Sequence, residues 1–258
     1  MEDVEREKIK VEVKNRLAHV TLLNPPDNYL SHQLLAELSE EVDAMAGQSG
    51  LLGVLFSAHG PNFSLGFDYA EHSREMVFSI LEKYRAICDN LLRLECPTVV
   101  LVDGKSRNWA CDLLYCFDHV IAANTATFQF DHLQCGTFSP FSVLMMPERA
   151  GVSAALQVFL NGAELTAAQV RELGLVHQVV PRAELGGELK KYFGLLSSHS
   201  SAVVSLLMGN IRRRKIELFN NWADLSTTDY LNLLMDFEDY NEGIAAWCEK
   251  RPPVWKNM

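Results

Sequence analysis

Positive charge is scarce in this sequence: 23 Lys and Arg stand against 33 Asp and Glu, a formal net charge of -10. A general binder of phosphate backbones needs a basic face, so nucleic acid is not an expected partner. Long apolar runs are missing as well. The longest, Pro97-Thr-Val-Val-Leu-Val-Asp103, stops after about five residues, where a membrane span needs ~20, so no membrane partner is expected. The six cysteines (Cys88, Cys96, Cys111, Cys116, Cys135 and Cys248) contain no C-x-x-C pair. Set among apolar neighbours, they read as reduced, mostly buried thiols, and Cys111 with Cys116 lacks the further ligands zinc requires. No metal site is expected. The opening Met1-Glu-Asp-Val-Glu-Arg-Glu-Lys8 is acidic, unlike a secretory signal or transit peptide, so the expectation is a soluble cytoplasmic protein.

What remains is a chain of 258 residues, 48% hydrophobic and 22% charged, which is enough to bury the core of one large domain, with or without a small appendage. Residues 9 to 23 alternate apolar and polar positions across Asn15-Arg16, the pattern of a β-hairpin, and Pro25-Pro26-Asp27-Asn28 breaks the chain. Leu34, Leu35, Leu38, Val42 and Met45 recur at helical spacing, predicting an amphipathic helix over 31–45. Short buried strands are expected at 51–56, 98–102 and 119–123, with helices over 75–95 and near 110–117 between them. Strands alternating with helices imply an α/β protein with a mostly parallel sheet. Beyond about residue 150 the pattern is almost wholly helical. Thr166-Ala-Ala-Gln169 has capping-box spacing, and Gly174 marks a helix end. The cluster Arg212-Arg-Arg-Lys215 reads as a solvated helix face, with an anionic ligand or subunit contact as the alternative.

Several segments then follow in a recognisable order: Gly60-Pro-Asn-Phe-Ser-Leu-Gly-Phe-Asp68, Pro97-Thr-Val-Val-Leu-Val-Asp-Gly104, Phe128-Gln-Phe-Asp-His-Leu-Gln-Cys-Gly136, Pro147-Glu-Arg-Ala-Gly151, Leu160-Asn-Gly-Ala-Glu-Leu-Thr-Ala167, Gly174-Leu-Val-His-Gln-Val-Val-Pro181 and Glu242-Gly-Ile-Ala-Ala-Trp-Cys-Glu-Lys-Arg251. Together they resemble the crotonase (enoyl-CoA hydratase/isomerase) superfamily over nearly the whole chain. The resemblance implies a crotonase-like ββα superhelix core over residues 1–190 and a helical C-terminal trimerisation region over 191–258. Asn28, Tyr69-Ala-Glu-His72 and Gly136-Thr-Phe-Ser-Pro140 look most like cyclic dienoyl-CoA hydratases.

By that resemblance, two backbone N–H groups, those of Leu65 and Trp109, hold an acyl-CoA thioester carbonyl and stabilise its enolate; such donors are worth ~3–4 kcal/mol each in other enzymes. Asn108-Trp109-Ala110 stands where the superfamily has three glycines. Trp109 is then a wall of the acyl pocket, a blocker of the thioester, or a core residue turned away, and it is strained if its position needs positive φ. Asp112 and His132 occupy the places of the two hydratase glutamates. A carboxylate that orients the imidazole or holds water, beside an imidazole that moves the proton, is a competent pair; a helix cap and a structural histidine are the alternatives. Asp131 tunes His132, binds a polar acyl group or faces solvent. Ser139, Phe138 and Phe141 fall where the superfamily lines its acyl pocket. Glu71 and His72 contact the acyl end or lie exposed. Residues 63–68, with Ser64, Gly66 and Asp68, meet the adenine and pantetheine, and Lys250 reaches the phosphates. Coenzyme A arrives as part of the substrate, with no other cofactor, and the resemblance implies a homotrimer or a dimer of trimers. The leading expectation is a lyase that hydrates an enoyl- or dienoyl-CoA thioester, or runs the reverse dehydration. A crotonase-fold decarboxylase or isomerase and a non-catalytic acyl-CoA-binding or partner subunit are the alternatives.

Overall fold

The computed structural model describes residues 6–48 and 50–257, apart from the side chains of 221–223 and 225. Alternating apolar residues build its opening hairpin. Strands β1 (Ile9–Lys14) and β2 (Leu17–Leu22) pair antiparallel, Ile9 opposite Leu22 and Lys14 opposite Leu17. Asn15 and Arg16 turn the chain with φ of 52° and 66°, the two positive values that match a two-residue turn to the twist of the strands. Ala18, Val20 and Leu22 enter the core while His19 and Thr21 stay half-exposed.

The chain then alternates helix and strand. Helix α1 (His32–Ala46) starts where the Ser31 hydroxyl accepts the Leu34 N–H at 3.3 Å, and it buries Leu34, Leu35, Leu38, Val42 and Met45. Then come β3 (Gly53–Ala58), α2 (Arg74–Arg93), β4 (Thr98–Val102), β5 (Lys105–Arg107), the short α3 (Trp109–Leu113) and β6 (His119–Ala123). The chain continues through β7 (Thr127–Gln129), α4 (Ser142–Ala150), α5 (Val152–Asn161), β8 (Glu164–Thr166), α6 (Ala167–Glu172) and β9 (Gln178–Val180). The main sheet runs β1-β2-β3-β4-β6-β9, and every pairing after the first is parallel. Val54, Leu55 and Phe56 of β3 and Val99 and Val100 of β4 are consecutive and buried, as strands covered on both faces are. The capping box at Thr166 and Gln169 forms as the spacing predicts.

A second sheet, β5-β7-β8, is unforeseen, because strands of three residues are too short to show a period. It carries Arg107 and Asn108 alongside Gln129 and Asp131. The Asn108 N–H donates to the Gln129 carbonyl at 2.7 Å, and the Asp131 N–H donates to Asn108 Oδ1 at 2.8 Å.

Three helices close the chain: α7 (Leu185–Ser197), α8 (Ser201–Asn232) and α9 (Glu238–Glu249). Residue 190, the expected division between core and C-terminal region, falls within α7. The basic cluster on α8 is not a uniformly solvated face. Arg212 is buried, fixed to Asp118 and to the carbonyls of Leu94 and Cys96, because the helix packs over the entry to β4 and β6. Lys215 is half-buried, while Arg213 and Arg214 face water. Of the cysteines, all of them free, Cys248 alone is exposed. Among the described residues no helix is long and apolar enough to cross a membrane.

Candidate active site

The loop of residues 63–68 is folded against the start of α3. Gly66 has φ of 86°, and a Cβ there would stand 2.8 Å from the Arg107 carbonyl, so only glycine allows the approach. Ser64 is buried, and its hydroxyl accepts the Gly66 N–H at 3.2 Å, which spends it on the turn. The Leu65 N–H, expected to hold a thioester oxygen, instead donates to the Asp27 carbonyl at 2.9 Å. Asn28 is the cause. Its buried amide accepts from the Asn24 N–H and donates to the His59 and Asn62 carbonyls at 2.9 and 2.8 Å, which fixes the 25–28 turn over Leu65. Asp68 and Glu71 serve backbone groups too: Asp68 caps the turn at 69–71 through the Ala70 N–H, and Glu71 accepts the His32 N–H at the start of α1.

In the second loop the positive φ falls on Asn108, at 51°, and not on Trp109. With ψ of -120° Asn108 lies outside the left-handed helical well that asparagine tolerates, so the strain of this turn rests on Asn108, and Trp109 opens α3 without a positive φ. Its N–H is one of the first-turn donors that a helix leaves without an internal partner. Its side chain is fully buried, stacked on Phe67 with ring centroids 4.2 Å apart and meeting Tyr84 and His132 edge-on at 5.3 and 5.8 Å. The Tyr84 hydroxyl holds the Trp109 carbonyl at 2.8 Å. Trp109 Nε1 lies by the Tyr69 hydroxyl without reaching hydrogen-bonding geometry. The ring thus fills the space that three glycines would leave open, between Phe67 and His132.

Behind that ring the two expected acid/base residues meet. Helix α3 places Asp112 one turn beyond Trp109, and a single turn at 132–135 presents His132. His132 Nε2 lies 3.5 Å from Asp112 Oδ2, with both side chains almost wholly buried, near enough for charge to act but too far for a good hydrogen bond. Asp112 takes no backbone N–H, so it is not a helix cap. Its Oδ1 accepts the hydroxyl of Ser142, the first residue of α4, a partner the sequence did not reveal. Asp112 Oδ2 and both ring nitrogens of His132 have no hydrogen-bond partner. Buried polar atoms are nearly always paired, so three open ones in one place mark a position for water or a polar ligand group.

Asp131 does not face solvent: it is buried and clasps Arg107 in a two-pronged pair, Oδ1–Nε 2.7 Å and Oδ2–Nη2 2.5 Å. The Ser139 hydroxyl accepts the N–H groups of Phe141 and Ser142, both at 3.2 Å, at the start of α4, and keeps its own proton to donate. Phe141 is itself buried, and Phe138 is half-buried against Tyr230. His72 is not an exposed loop residue. It is buried, its Nε2 lies 3.0 Å from the Tyr230 hydroxyl, and burial pushes its pKa down to about 3. Lys250 is exposed at the C-terminus of α9, on a groove it shares with Tyr29, Arg107, Trp247 and Arg251. Arg251 is committed to Glu242 and Glu249, whereas Lys250 forms no ion pair among the described residues. Among those residues no group of three or more His, Cys, Asp or Glu side chains could hold a metal ion.

An enoyl-CoA hydratase from Bacillus halodurans superposes with a TM-score of 0.87 over 93% of this chain and 99% of its own, at 17% identity, a likeness of fold. The chain belongs to the enoyl-CoA hydratase/isomerase family, whose description matches residues 12–258. Among curated relatives, cyclohexa-1,5-dienecarbonyl-CoA hydratase of Thauera aromatica is 24% identical over 97% of this chain and 96% of its own length. The human mitochondrial enoyl-CoA hydratase domain-containing protein 3 is 26% identical over 93% of this chain and 81% of its own.

Proposed function

We propose that this protein is a hydratase-type lyase that adds water to an enoyl- or dienoyl-CoA thioester, or removes it, with Asp112 and His132 as the acid/base pair. The observation that carries the reading is the set of three open polar atoms on two buried side chains 3.5 Å apart. A water about 2.8 Å from both Asp112 Oδ2 and His132 Nε2 closes a hydrogen-bonded triangle on that edge. In hydration the water oxygen adds to the β-carbon as its proton passes to the pair; the electrons move into the thioester as an enolate, and a proton then returns to the α-carbon. Ser142 keeps the carboxylate facing His132. The Trp109 N–H is the enolate donor in this scheme. Leu65 joins it only after releasing the Asp27 carbonyl, and the acyl group enters only when the Trp109 ring leaves Phe67. Lys250, on its open groove, suits the phosphates of coenzyme A. Exposed Val152, Leu156 and Leu160, one stripe of α5, suit burial between subunits of a trimer or a dimer of trimers. Free cysteines suit the reducing cytoplasm.

The test is incubation with a panel of linear, branched and cyclic enoyl- and dienoyl-CoA thioesters in isotopically labelled water. Uptake of one labelled water by one substrate supports the lyase and identifies its acyl class. A second reading, a non-catalytic acyl-CoA-binding subunit, is favoured by one arrangement: Trp109 fills the site and Asp27 occupies the Leu65 donor. Binding of the same thioesters with every one recovered unchanged supports it and sinks the lyase.

A further inference from the structure

We infer that the groove between α4, α7 and α8 is a second ligand site, for a small carboxylate with an aliphatic body. It shares no residue with the Asp112–His132 site. Met208, Ile211, Lys215 and Leu218 of α8 are spaced by three, four and three residues and so lie along one helix face, and all four line the groove. Lys215 is the one polar residue in that stripe. Met145 and Phe117 form a buried apolar floor, Tyr192 a side wall, and Ile211, 64% exposed, stands open to solvent. An apolar stripe interrupted by one lysine suits a ligand with an apolar body and a single negative end.

The charges agree. Arg212 is neutralised by Asp118, and Arg214 lies 3.6 Å from Glu148. Lys215 and Arg149 have no carboxylate partner among the described residues; Arg149 donates only to the Gly174 carbonyl at 3.2 Å. The Lys215 ammonium is crowded by its surroundings: burial first, and then Arg149 and Arg212, hold its pKa at about 8 against the opposing pull of Cys116 and Asp118. A half-buried cation with no counter-charge is costly, and a bound anion relieves that cost. His177 adds a neutral donor. Its Nδ1 accepts the Val120 N–H at 2.9 Å, so its proton sits on Nε2, and its pKa is pushed down to about 4 by burial and by Arg149. Phosphate fits less well than a carboxylate, because a dianion would meet Asp118, Glu148 and the apolar wall together.

Isothermal titration of the full chain with octanoate at pH 7, with inorganic phosphate as the comparison, tests the assignment. Octanoate is expected to bind saturably at one per chain. Lys215→Met, which keeps an apolar stem, is expected to weaken it at least about tenfold, and Arg149→Gln severalfold. The unliganded Lys215→Met protein is expected to be as thermally stable as the wild type or more so, since it loses a half-buried unpaired charge; weaker binding then does not reflect unfolding. Absence of octanoate binding, equal affinity in Lys215→Met, or phosphate binding as tightly as octanoate overturns the inference.

Discussion

Two polar pairs, each with a buried carboxylate, lie side by side in this molecule, and they are built in opposite ways. Asp131 and Arg107 close on each other with two short hydrogen bonds, and the Asp131 N–H is itself held by Asn108. One residue along the chain, His132 faces Asp112 across 3.5 Å and leaves three atoms without partners. The first pair is a fastening between the small sheet and the turn that follows it. The second is poor as a fastening and good as a place for chemistry. An under-satisfied buried carboxylate lowers stability, and such sites persist where function needs them.

The largest effect that sharpens this contrast is on turnover. Asp112→Ala and His132→Ala are each expected to lower the rate of labelled-water uptake by about 10²–10⁴-fold, the range for positioned acid/base groups. Thermal melting of Asp112→Asn supplies the other half: it is expected to stay level or rise, because the open carboxylate is relieved of its charge. A large drop in melting temperature would make Asp112 a structural residue like Asp131.

Next comes Trp109, whose ring separates the open pair from the loop at 63–68. Trp109→Ala is expected to cost about 3–5 kcal/mol, as loss of a buried aromatic side chain does, read from the denaturation midpoint. The cavity it leaves lies beside Asp112 and His132, so binding of a coenzyme A thioester by the surviving fold is expected to tighten. Lost stability with unchanged binding would mean that thioesters approach from elsewhere.

The closed pair is expected to respond the other way round. Asp131→Asn removes the counter-charge of Arg107 and is expected to lower stability by about 2 kcal/mol, less than the ~3–5 of a fully buried pair because Arg107 keeps some access to water. Its effect on turnover, corrected for folded fraction, is expected to be small. A loss of rate as large as that of His132→Ala would show that the two pairs act as one unit.

The sequence made one side of this contrast easier to read than the other. Periodicity and turn chemistry located the hairpin across Asn15-Arg16, the helix beginning at Ser31 and the capping box at Thr166, all of which are decided by neighbours in the chain. Motif position singled out Asp112 and His132, which the fold places 3.5 Å apart. The engagement of Leu65 by Asp27 was not legible, because it depends on Asn28 bridging to residues 59 and 62. Ser142 was missed for the same reason, thirty residues from the carboxylate it holds. Lys215 reads from the sequence as part of a solvated face, and Asp131 is left open between solvent and a buried role, because charge type predicts exposure until a specific fold supplies a partner or a wall.

His72 extends the comparison with the smallest expected effect, and that effect depends on pH. It is intermediate between the two pairs: Nε2 meets the Tyr230 hydroxyl, while Nδ1 is open. Burial holds its folded pKa at about 3, below the ~6.5 of an unfolded histidine, so the neutral ring favours the folded state. That contribution is fully present above pH 6.5. It is lost as pH falls from there towards 3, since the unfolded chain takes up the proton first, with a limiting slope of about 1.4 kcal/mol per pH unit. Denaturant unfolding of His72→Gln between pH 7 and 5 is expected to be less steeply pH-dependent than that of the wild type, by up to that slope. An identical slope would mean that His72 is protonated in the folded protein, and that the aromatic wall around Trp109 admits water.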